Sequence, residues 1–481
     1  MNQVDLLQKA YKKVEDNKEN IQLDPYRLHF HLMPPTGLLN DPNGLIHYKG
    51  TYHVFYQWNP FQTAHGSKFW GHYTSRDLIH WQEQQPALVP NEWYEKDGCY
   101  SGSAIEANGE LVLFYTGNVK HGEDKRETYQ CMAVSSDGLK FEKKGPVLFL
   151  PEEYTSHFRD PKVWKREDVW YAVVGAQNLN KEGVVALFSS TNLKEWNHIG
   201  ILAGSKLNGL TDLGYMWECP DFFKLGEKDV LLVSPQGVEA KGHLYQNEFQ
   251  SGYFIGKWKV GTTEYLHGEF TELDRGFDFY APQTFEDERG RRIMIGWMGI
   301  TDEQEVYQPT IEKGWVHALT IPRELVLEGE KLIQKPVTEL KQLRQEDGIK
   351  YNVKLENEEK SWEKLAGVVS ELKIRFEHLE AETIELNIRS HLKLTYNQDQ
   401  NLFTLQRKRF KDGKVESRSC ELPKLEELYI YLDTSSVEIF INGGSEVFTA
   451  RFFADPKDEE FAVNVKGQVH LFIEKWNLVS R

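Results

Sequence analysis

A period of about sixty residues constrains this chain more than any other feature. Asp41, Ser101, Asp160, Glu218 and Ala281 recur 60, 59, 58 and 63 residues apart. In four of the five a proline follows at once or one residue later: Asp41-Pro42, Asp160-Pro161, Glu218-Cys219-Pro220 and Ala281-Pro282. Proline has no N–H for a sheet ladder and biases the residue before it towards extended geometry, so each occurrence marks the mouth of a strand. After each come two strand-like runs, the second being Tyr52–Gln57, Leu111–Thr116, Trp170–Gly175, Val230–Ser234 and Arg292–Trp297. Another series keeps the same beat. Ser75-Arg-Asp-Leu-Ile-His-Trp81 returns as Ser135-Ser-Asp-Gly-Leu-Lys-Phe141 and as Ser189-Ser-Thr-Asn-Leu-Lys-Glu-Trp196, the closing aromatics 60 and 55 residues apart. Sixty residues hold four antiparallel strands, so five such units predict an all-β, five-bladed β-propeller over residues 22–340. The competing reading is a long antiparallel sandwich with chance recurrences.

Two flanking pieces complete the expected organisation. Val4, Leu7, Tyr11 and Val14 recur at helical spacing among charges and predict a short N-terminal helix within residues 1–21, packed on the propeller. Glu339-Leu-Lys-Gln-Leu-Arg-Gln-Glu346 reads as a polar connector. Beyond it, Leu392–Tyr396, Leu402–Arg407, Leu428–Leu432, Val437–Ile441 and Val447–Phe453 alternate apolar and polar residues, and Asn442-Gly443-Gly444 signals a hairpin. Residues 341–481 are therefore expected to form a second all-β domain, a β-sandwich, serving as a structural prop.

Composition bounds the partners. Net charge is −16 and no run of lysine or arginine forms a patch, which argues against nucleic acid and anionic membrane. No apolar run reaches membrane-spanning length, and the N-terminus lacks a basic-then-apolar secretion signal. The four cysteines, Cys99, Cys131, Cys219 and Cys420, have neither a disulfide framework nor metal-ligand spacing, so no metal and no cofactor is expected. A reduced, cytoplasmic setting follows as the expectation. The sequence fixes no oligomeric state.

In a propeller blade the innermost strand comes first, so equivalent ends of these strands open onto one mouth of the central channel. Asp41, Asp160 and Glu218 are thereby expected to converge. Like charges in a confined site push at least one carboxyl pKa upward, and two carboxyls with separated pKa values are the apparatus of glycoside hydrolysis. Arg159 beside Asp160 is expected to keep that acid ionised. Met216, Trp217, Cys219 and Pro220 give Glu218 an apolar neighbourhood that favours its protonated form. Asp41 is therefore assigned as nucleophile and Glu218 as acid/base.

These residues lie within segments that, taken together, resemble a known family. Asn40-Asp41-Pro42-Asn43-Gly44, Gln57-Trp58-Asn59-Pro60, Trp70-Gly71-His72, Tyr100-Ser101-Gly102-Ser103-Ala104, Phe158-Arg159-Asp160-Pro161 and Glu218-Cys219-Pro220-Asp221 occur in the order of the signature segments of glycoside hydrolase family 32, the invertases and fructanases. The resemblance runs from about residue 25 to the C-terminus. It implies a five-bladed propeller with a C-terminal sandwich, retaining cleavage of β-fructofuranosides through a fructosyl-aspartate, and no metal. It also implies that Asp41 is the nucleophile, Asp160 the acid stabilising the transition state, and Glu218 the acid/base. Asn40, Gln57, Tyr100, Ser101, Arg159 and Trp297 match substrate contacts.

One departure bears on substrate. After the Gln-Trp-Asn-Pro segment the loop reads Phe61-Gln-Thr-Ala-His-Gly-Ser-Lys68, with His65 where relatives carry an aromatic. With the missing secretion signal, this most resembles the family's intracellular members that cleave phosphorylated sucrose. His65 and Lys68 in one mouth loop, His121, Lys125 and Arg126 in another, and His157 beside Arg159 are candidate contacts to a phosphate or to the glucose side. An invertase or fructanase without phosphate preference, a fructosyltransferase and a non-catalytic sugar-binding propeller are the alternatives; a lectin-like site gains nothing from three convergent acids, whose desolvation is unfavourable.

Overall fold

The structure, a computed structural model, describes residues 2–122, 125–345 and 348–479. Five sheets are arranged as the blades of a propeller, and a sixth, of ten strands, packs against them. Blade 1 is built from Gly37–Tyr48, Thr51–Asn59, Phe69–Ser75 and Trp81–Glu83, with the short strand Trp315–Val316 added in parallel to Gly37 and Leu38. Blade 2 runs Cys99–Ala107, Glu110–Lys120, Arg126–Ser135 and Glu142–Phe149, and blade 3 Tyr154–Arg166, Val169–Asn178, Gly183–Ser190 and Asn197–Gly204. Blade 4 starts with Met216–Leu225, Lys228–Gln236 and Gly252–Trp258, and blade 5 with Tyr280–Glu286 and Arg292–Met298. The inner strands read as nearly continuous apolar runs because both faces are covered by neighbouring blades, as in Lys228–Gln236, where Val230 to Ser234 are all buried.

The sixty-residue period has a specific structural cause: the innermost strand of every blade carries a β-bulge at the same place. Ladder register slips between Leu39 and Pro42, Tyr100 and Gly102, Arg159 and Lys162, Glu218 and Asp221, and Tyr280 and Gln283. A bulge leaves a residue unpaired and re-aims its side chain. Asp160, Cys219 and Ala281 adopt positive φ of 66°, 47° and 48°, a conformation that costs an L residue roughly 1–2 kcal/mol. Proline follows the bulged residue in four blades, where no ladder N–H is missed. In blade 2 that place is Gly102, where a Cβ would lie 1.9 Å from the Phe114 carbonyl oxygen.

This geometry corrects the expected alignment in blade 4. Cys219, followed by Pro220, occupies the slot of Asp41, Asp160 and Ala281, whereas Glu218 stands one residue earlier, level with Arg159 and Tyr280. The other repeat is also offset by one in blade 3. Ser75 bonds Asp77, Ser135 bonds Asp137, and Ser190, not Ser189, bonds Asn192, each closing the turn from third to fourth strand.

The helix spans Gln3–Gln22 and is capped by Asn2, which accepts from the Asp5 amide. Its packed face runs through Leu7, Ala10 and Ile21, with Leu6 and Val14 partly covered. Val4 and Tyr11 of the expected stripe are exposed, because the contact line is rotated towards the small Ala10.

Residues after 349 form one hydrogen-bonded sheet doubled over on itself, a sandwich-like arrangement in which the long strands Ser370–Ile388 and Phe461–Asn477 pass between layers. Register breaks between Glu377 and Glu380 and between Ala381 and Thr383 permit the fold-over. A buried charge network fastens this sheet to the propeller. Arg323 donates to Asp274 (3.0 Å) and Glu438 (2.5 Å), and His31 lies between Asp433 (2.9 Å) and Glu438 (3.0 Å), all fully buried. Of the 339–346 connector, 338–343 is a 3₁₀ turn and Glu346 lies outside the described residues. Among the described residues no helix is long and apolar enough to cross a membrane.

Candidate active site

The five bulges present two tiers of side chains to one mouth. The inner tier is Asp41, Ser101, Asp160, Cys219 and Ala281; the outer is Asn40, Tyr100, Arg159, Glu218 and Tyr280. Two residues deeper, Lys162 of blade 3 bonds Asp221 of blade 4 at 3.0 Å and the Thr284 carbonyl of blade 5 at 2.6 Å, plugging the channel below the site.

Asp41 is held by three donors. Asn40 reaches Oδ1 at 3.0 Å, while Gln57 (3.0 Å) and Ser101 (2.5 Å) reach Oδ2. Gln57 and Ser101 are also in contact with each other. The carboxylate is thus fixed by neighbours from two blades, which suits a group whose trajectory matters.

Asp160 is buried and accepts the Cys219 backbone N–H at 3.0 Å; its own N–H donates to Thr116 Oγ1 at 2.9 Å. Burial pushes its carboxyl up to about 7, opposed by Arg159 and assisted by the negative charges of Glu218 and Asp41. The expectation that Arg159 keeps Asp160 ionised is therefore corrected. The guanidinium turns to Glu218, donating from Nε at 2.9 Å and Nη2 at 2.6 Å, and leaves Asp160 with one backbone donor. Cys219 bridges the acids, its Sγ 3.7 Å from Asp41 Oδ2 and 3.6 Å from Asp160 Oδ2. Burial, then those two carboxylates, push this thiol well up, so it stays protonated and can donate.

Glu218 sits among donors rather than in the apolar setting expected. Besides Arg159 on Oε1, Gln236 and Tyr280 each reach Oε2 at 2.7 Å. The Tyr280 hydroxyl also lies 3.2 Å from the Ser234 carbonyl. A hydroxyl that donates to that carbonyl can accept a proton-bearing Oε2 instead, so Tyr280 can serve Glu218 in either protonation state.

Trp297 faces Tyr280 (ring centroids 6.3 Å apart), His65 (6.0 Å) and His317 (4.9 Å), all edge-on. Its indole N–H and the Asn40 side-chain oxygen are buried without a protein partner, as fits groups that meet a polyhydroxylated ligand. Tyr100, half-buried, completes the outer tier. The loop between blade 1 strands brings His65 and Lys68 to this side. His65 Nε2 lies 3.0 Å from Glu305 and its Nδ1 3.3 Å from Lys68 Nζ, while His317 also bonds Glu305 at 2.8 Å. Burial lowers the Lys68 ammonium to about 7, against the pull of Asp41 and Glu305. On the opposite side, His157 Nδ1 faces Arg159 Nη1 at 3.2 Å, and burial, Arg159 and Arg126 lower it to about 4. His121 is taken up by Glu127 at 2.8 Å, Lys125 is exposed, and Arg126 is half-buried. Among the described residues no group of three or more His, Cys, Asp or Glu side chains could hold a metal ion.

Sequence reasoning missed Gln236, Tyr280, Glu305 and His317. Tyr280 was within reach: it precedes Ala281-Pro282 as Glu218 precedes Cys219-Pro220. Glu305 and His317 lie in an irregular stretch with no periodicity to read.

Comparisons with known proteins identify the family. Residues 31–336 match the model for the glycosyl hydrolases family 32 N-terminal domain, and residues 339–478 that for the family's C-terminal domain. The chain is 49% identical over 475 residues to a sucrose-6-phosphate hydrolase of Bacillus subtilis (strain 168), covering 99% of each chain. Among solved structures it is similar to a sucrose-6-phosphate hydrolase from Lactobacillus gasseri, at 32% identity and TM-score 0.87, covering 98% of this chain and 96% of that one. It is also similar to a mutant Bombyx mori GH32 beta-fructofuranosidase solved in complex with sucrose, at 33% identity and TM-score 0.86, covering 100% and 99%.

Proposed function

The chain belongs to glycosyl hydrolase family 32 and is a glycoside hydrolase, and from that premise we propose that it cleaves the β-fructofuranosyl bond of sucrose 6-phosphate, releasing glucose 6-phosphate and fructose. The observation that carries the reading is the meeting of Asp41, Asp160 and Glu218 around Cys219 at one mouth, with Asp41 clamped by Asn40, Gln57 and Ser101. The phosphorylated substrate is supported by the two sucrose-6-phosphate hydrolases it is similar to.

In the proposed reaction the Asp41 carboxylate attacks the fructosyl anomeric carbon. An ester bond forms there while the bond to the glucose oxygen breaks, and Glu218 delivers a proton to that departing oxygen. Water then attacks the same carbon, giving its proton to Glu218 and displacing Asp41, so both carboxyls return to their starting state. Arg159 holds Glu218 in place through both steps, and Tyr280 can follow its proton by reversing its hydroxyl. In this reading Asp160, Trp297, Asn40 and Tyr100 take the hydroxyls of the fructosyl unit, which the unpartnered Trp297 N–H and Asn40 oxygen support. We assign residues 22–340 as the catalytic unit and 341–481 as its support. The four cysteines are free and buried, which suits a reduced, cytoplasmic setting for an enzyme acting on a charged sugar.

Initial rates on sucrose 6-phosphate, sucrose and a fructan test the substrate. Asp41→Asn is expected to abolish turnover. Glu218→Gln should lower it about a hundred- to ten-thousandfold on sucrose 6-phosphate, with much of the loss recovered on an aryl fructofuranoside whose leaving group needs no proton. Equal loss on both leaving groups, with folding and binding intact, would remove Glu218 from the acid role.

A further inference from the structure

Resting on the phosphosugar reading above, we propose that the substrate phosphate is bound by one face of the second hairpin of blade 2, through Lys120, Arg126 and the Asn118 amide, with His157 of blade 3, and not by the His65–Lys68 side of the mouth.

Strand pairing defines the face. Thr116 stands opposite Gln130, Asn118 opposite Thr128, and Lys120 opposite Arg126. Directly opposed residues of an antiparallel pair share a face, as do residues two apart, so these six side chains form three rows on one surface. The innermost row fixes where that surface looks. Thr116 bonds Gln130 at 2.7 Å and accepts the Asp160 N–H at 2.9 Å, and Gln130 reaches the Phe158 carbonyl at 3.2 Å. In the middle row Thr128 donates to the same carbonyl at 2.5 Å, whereas the Asn118 amide nitrogen is buried with no partner. The outer row holds Lys120 and Arg126, neither of which has an ion pair among the described residues. The whole face therefore turns towards the strand carrying His157, Arg159 and Asp160.

His157 joins the same surface. Its Nδ1 faces an Arg159 N–H, so its Nε2 carries the proton and can donate outward. Arg159 in turn holds Glu218, the group proposed to protonate the departing glucose oxygen. The leaving hexose must lie outside Glu218, and a phosphate on it then reaches the rows beyond Asp160. Of the nearby carboxylates among the described residues, Asp97 accepts the backbone N–H of Lys120 and Glu127 is bonded by His121 and Tyr129, while Glu123 and Asp124 of the same turn lie outside the described residues.

The neighbouring blade 1 loop, whose Lys68 feels the charge of Lys120, is balanced without a ligand. Glu305 faces both His65 and His317, and Lys68 is buried beside Asp41 with His65 as its hydrogen-bond partner. A phosphate dianion there would meet Glu305. At the blade 2 face it would meet two cations with no ion pair among the described residues and two neutral donors, the combination a phosphate needs.

The test is the ratio of kcat/KM on sucrose 6-phosphate to that on sucrose, with inhibition by glucose 6-phosphate against glucose as an independent readout. Lys120→Ala and Arg126→Ala are each expected to lower the ratio about tenfold and together about a hundredfold, mainly through KM, and to weaken glucose 6-phosphate inhibition in parallel. Should the double variant fold poorly, K120Q and R126Q carry the same test singly. Lys68→Met is expected to preserve the ratio. A double variant that keeps the wild-type ratio, or a Lys68 variant that abolishes it, overturns the assignment of this face. Wild-type enzyme with no preference for the phosphorylated sugar overturns the substrate reading itself, a result separable from the other two.

Discussion

Asp160 is the group through which chemistry and stability oppose one another most directly. Burial and two neighbouring carboxylates raise its carboxyl from 3.8 to about 7. A carboxyl raised in the folded state keeps its proton to a higher pH than in the unfolded chain, so stability falls as pH rises from about 4 to about 7 and is level above. At about 1.4 kcal/mol per pH unit, ionising this residue costs the fold up to about 4 kcal/mol at pH 8. Asp160→Asn removes the charge and keeps the contacts. An amide oxygen can still accept the Cys219 N–H, and the backbone bond to Thr116 does not involve the side chain. The variant should be inactive and more stable at pH 8 than the wild type, with a gain about 2–3 kcal/mol larger there than at pH 5. Unfolding entropy of about 2.1 cal/mol/K per residue makes 1 kcal/mol worth about 1 °C for a chain this long, so a rise of about 3–4 °C is expected at pH 8. Thermal unfolding of both proteins at pH 5, 6, 7 and 8 gives the comparison. A gain independent of pH, or a loss at pH 8, would refute the argument from charge.

Two further outcomes follow from the buried groups. The four free thiols are all buried and Cys219 is held protonated, so native protein at pH 7 should react with less than one equivalent of a thiol reagent, and with four after denaturation. A stoichiometric native reaction would mean the mouth opens to Cys219. His31→Ala removes the side-chain partner that the buried Asp433 and Glu438 share, leaving Asp433 to backbone N–H groups and Glu438 to Arg323 and Ile321, and should cost about 3–5 kcal/mol in urea unfolding. Burial opposes its charge, but bonds to Asp433 and Glu438 raise His31 overall. Its contribution is thus full below about pH 6.5 and fades as pH rises through the raised value, a decline that the variant should lack.

The fold was legible because the bulge repeats. A backbone feature that recurs in every blade leaves proline in four of them and spaces the mouth residues evenly, and that spacing was enough to bring Asp41 and Asp160 together. The one-residue offset at Glu218 was not legible in the same way: Cys219 fills the repeated slot, and only the ladder register between Glu218 and Asp221 reveals it. Charge environments were read less well. Adjacency in sequence suggested that Arg159 serves Asp160, but neighbours on a strand point to opposite faces, and the guanidinium serves Glu218 of the next blade. The Glu305 cluster joins residues 240 positions apart through an irregular loop, with neither period nor motif to announce it.

The charge network between Arg323, Glu438, His31 and Asp433 also bears on how the chain is made. The ring closes where Trp315 and Val316 pair with Gly37 and Leu38, a contact of two residue pairs spanning almost the whole propeller. The segments flanking that seam rest on Asp433, which accepts the backbone N–H groups of His29 and Phe30 before Gly37, and on Glu438, which accepts that of Ile321 after Val316. Asp433 and Glu438 are made more than a hundred residues after Ile321. Once the outer strands of blade 5, Arg323–Glu328 and Lys331–Pro336, are made, adding residues 337–438 takes roughly 5–20 s at about 5–20 residues per second, and throughout that interval the first and fifth blades would lack their clasp. Stable closure of the ring is therefore expected late in translation or after it, with the C-terminal sheet as its latch.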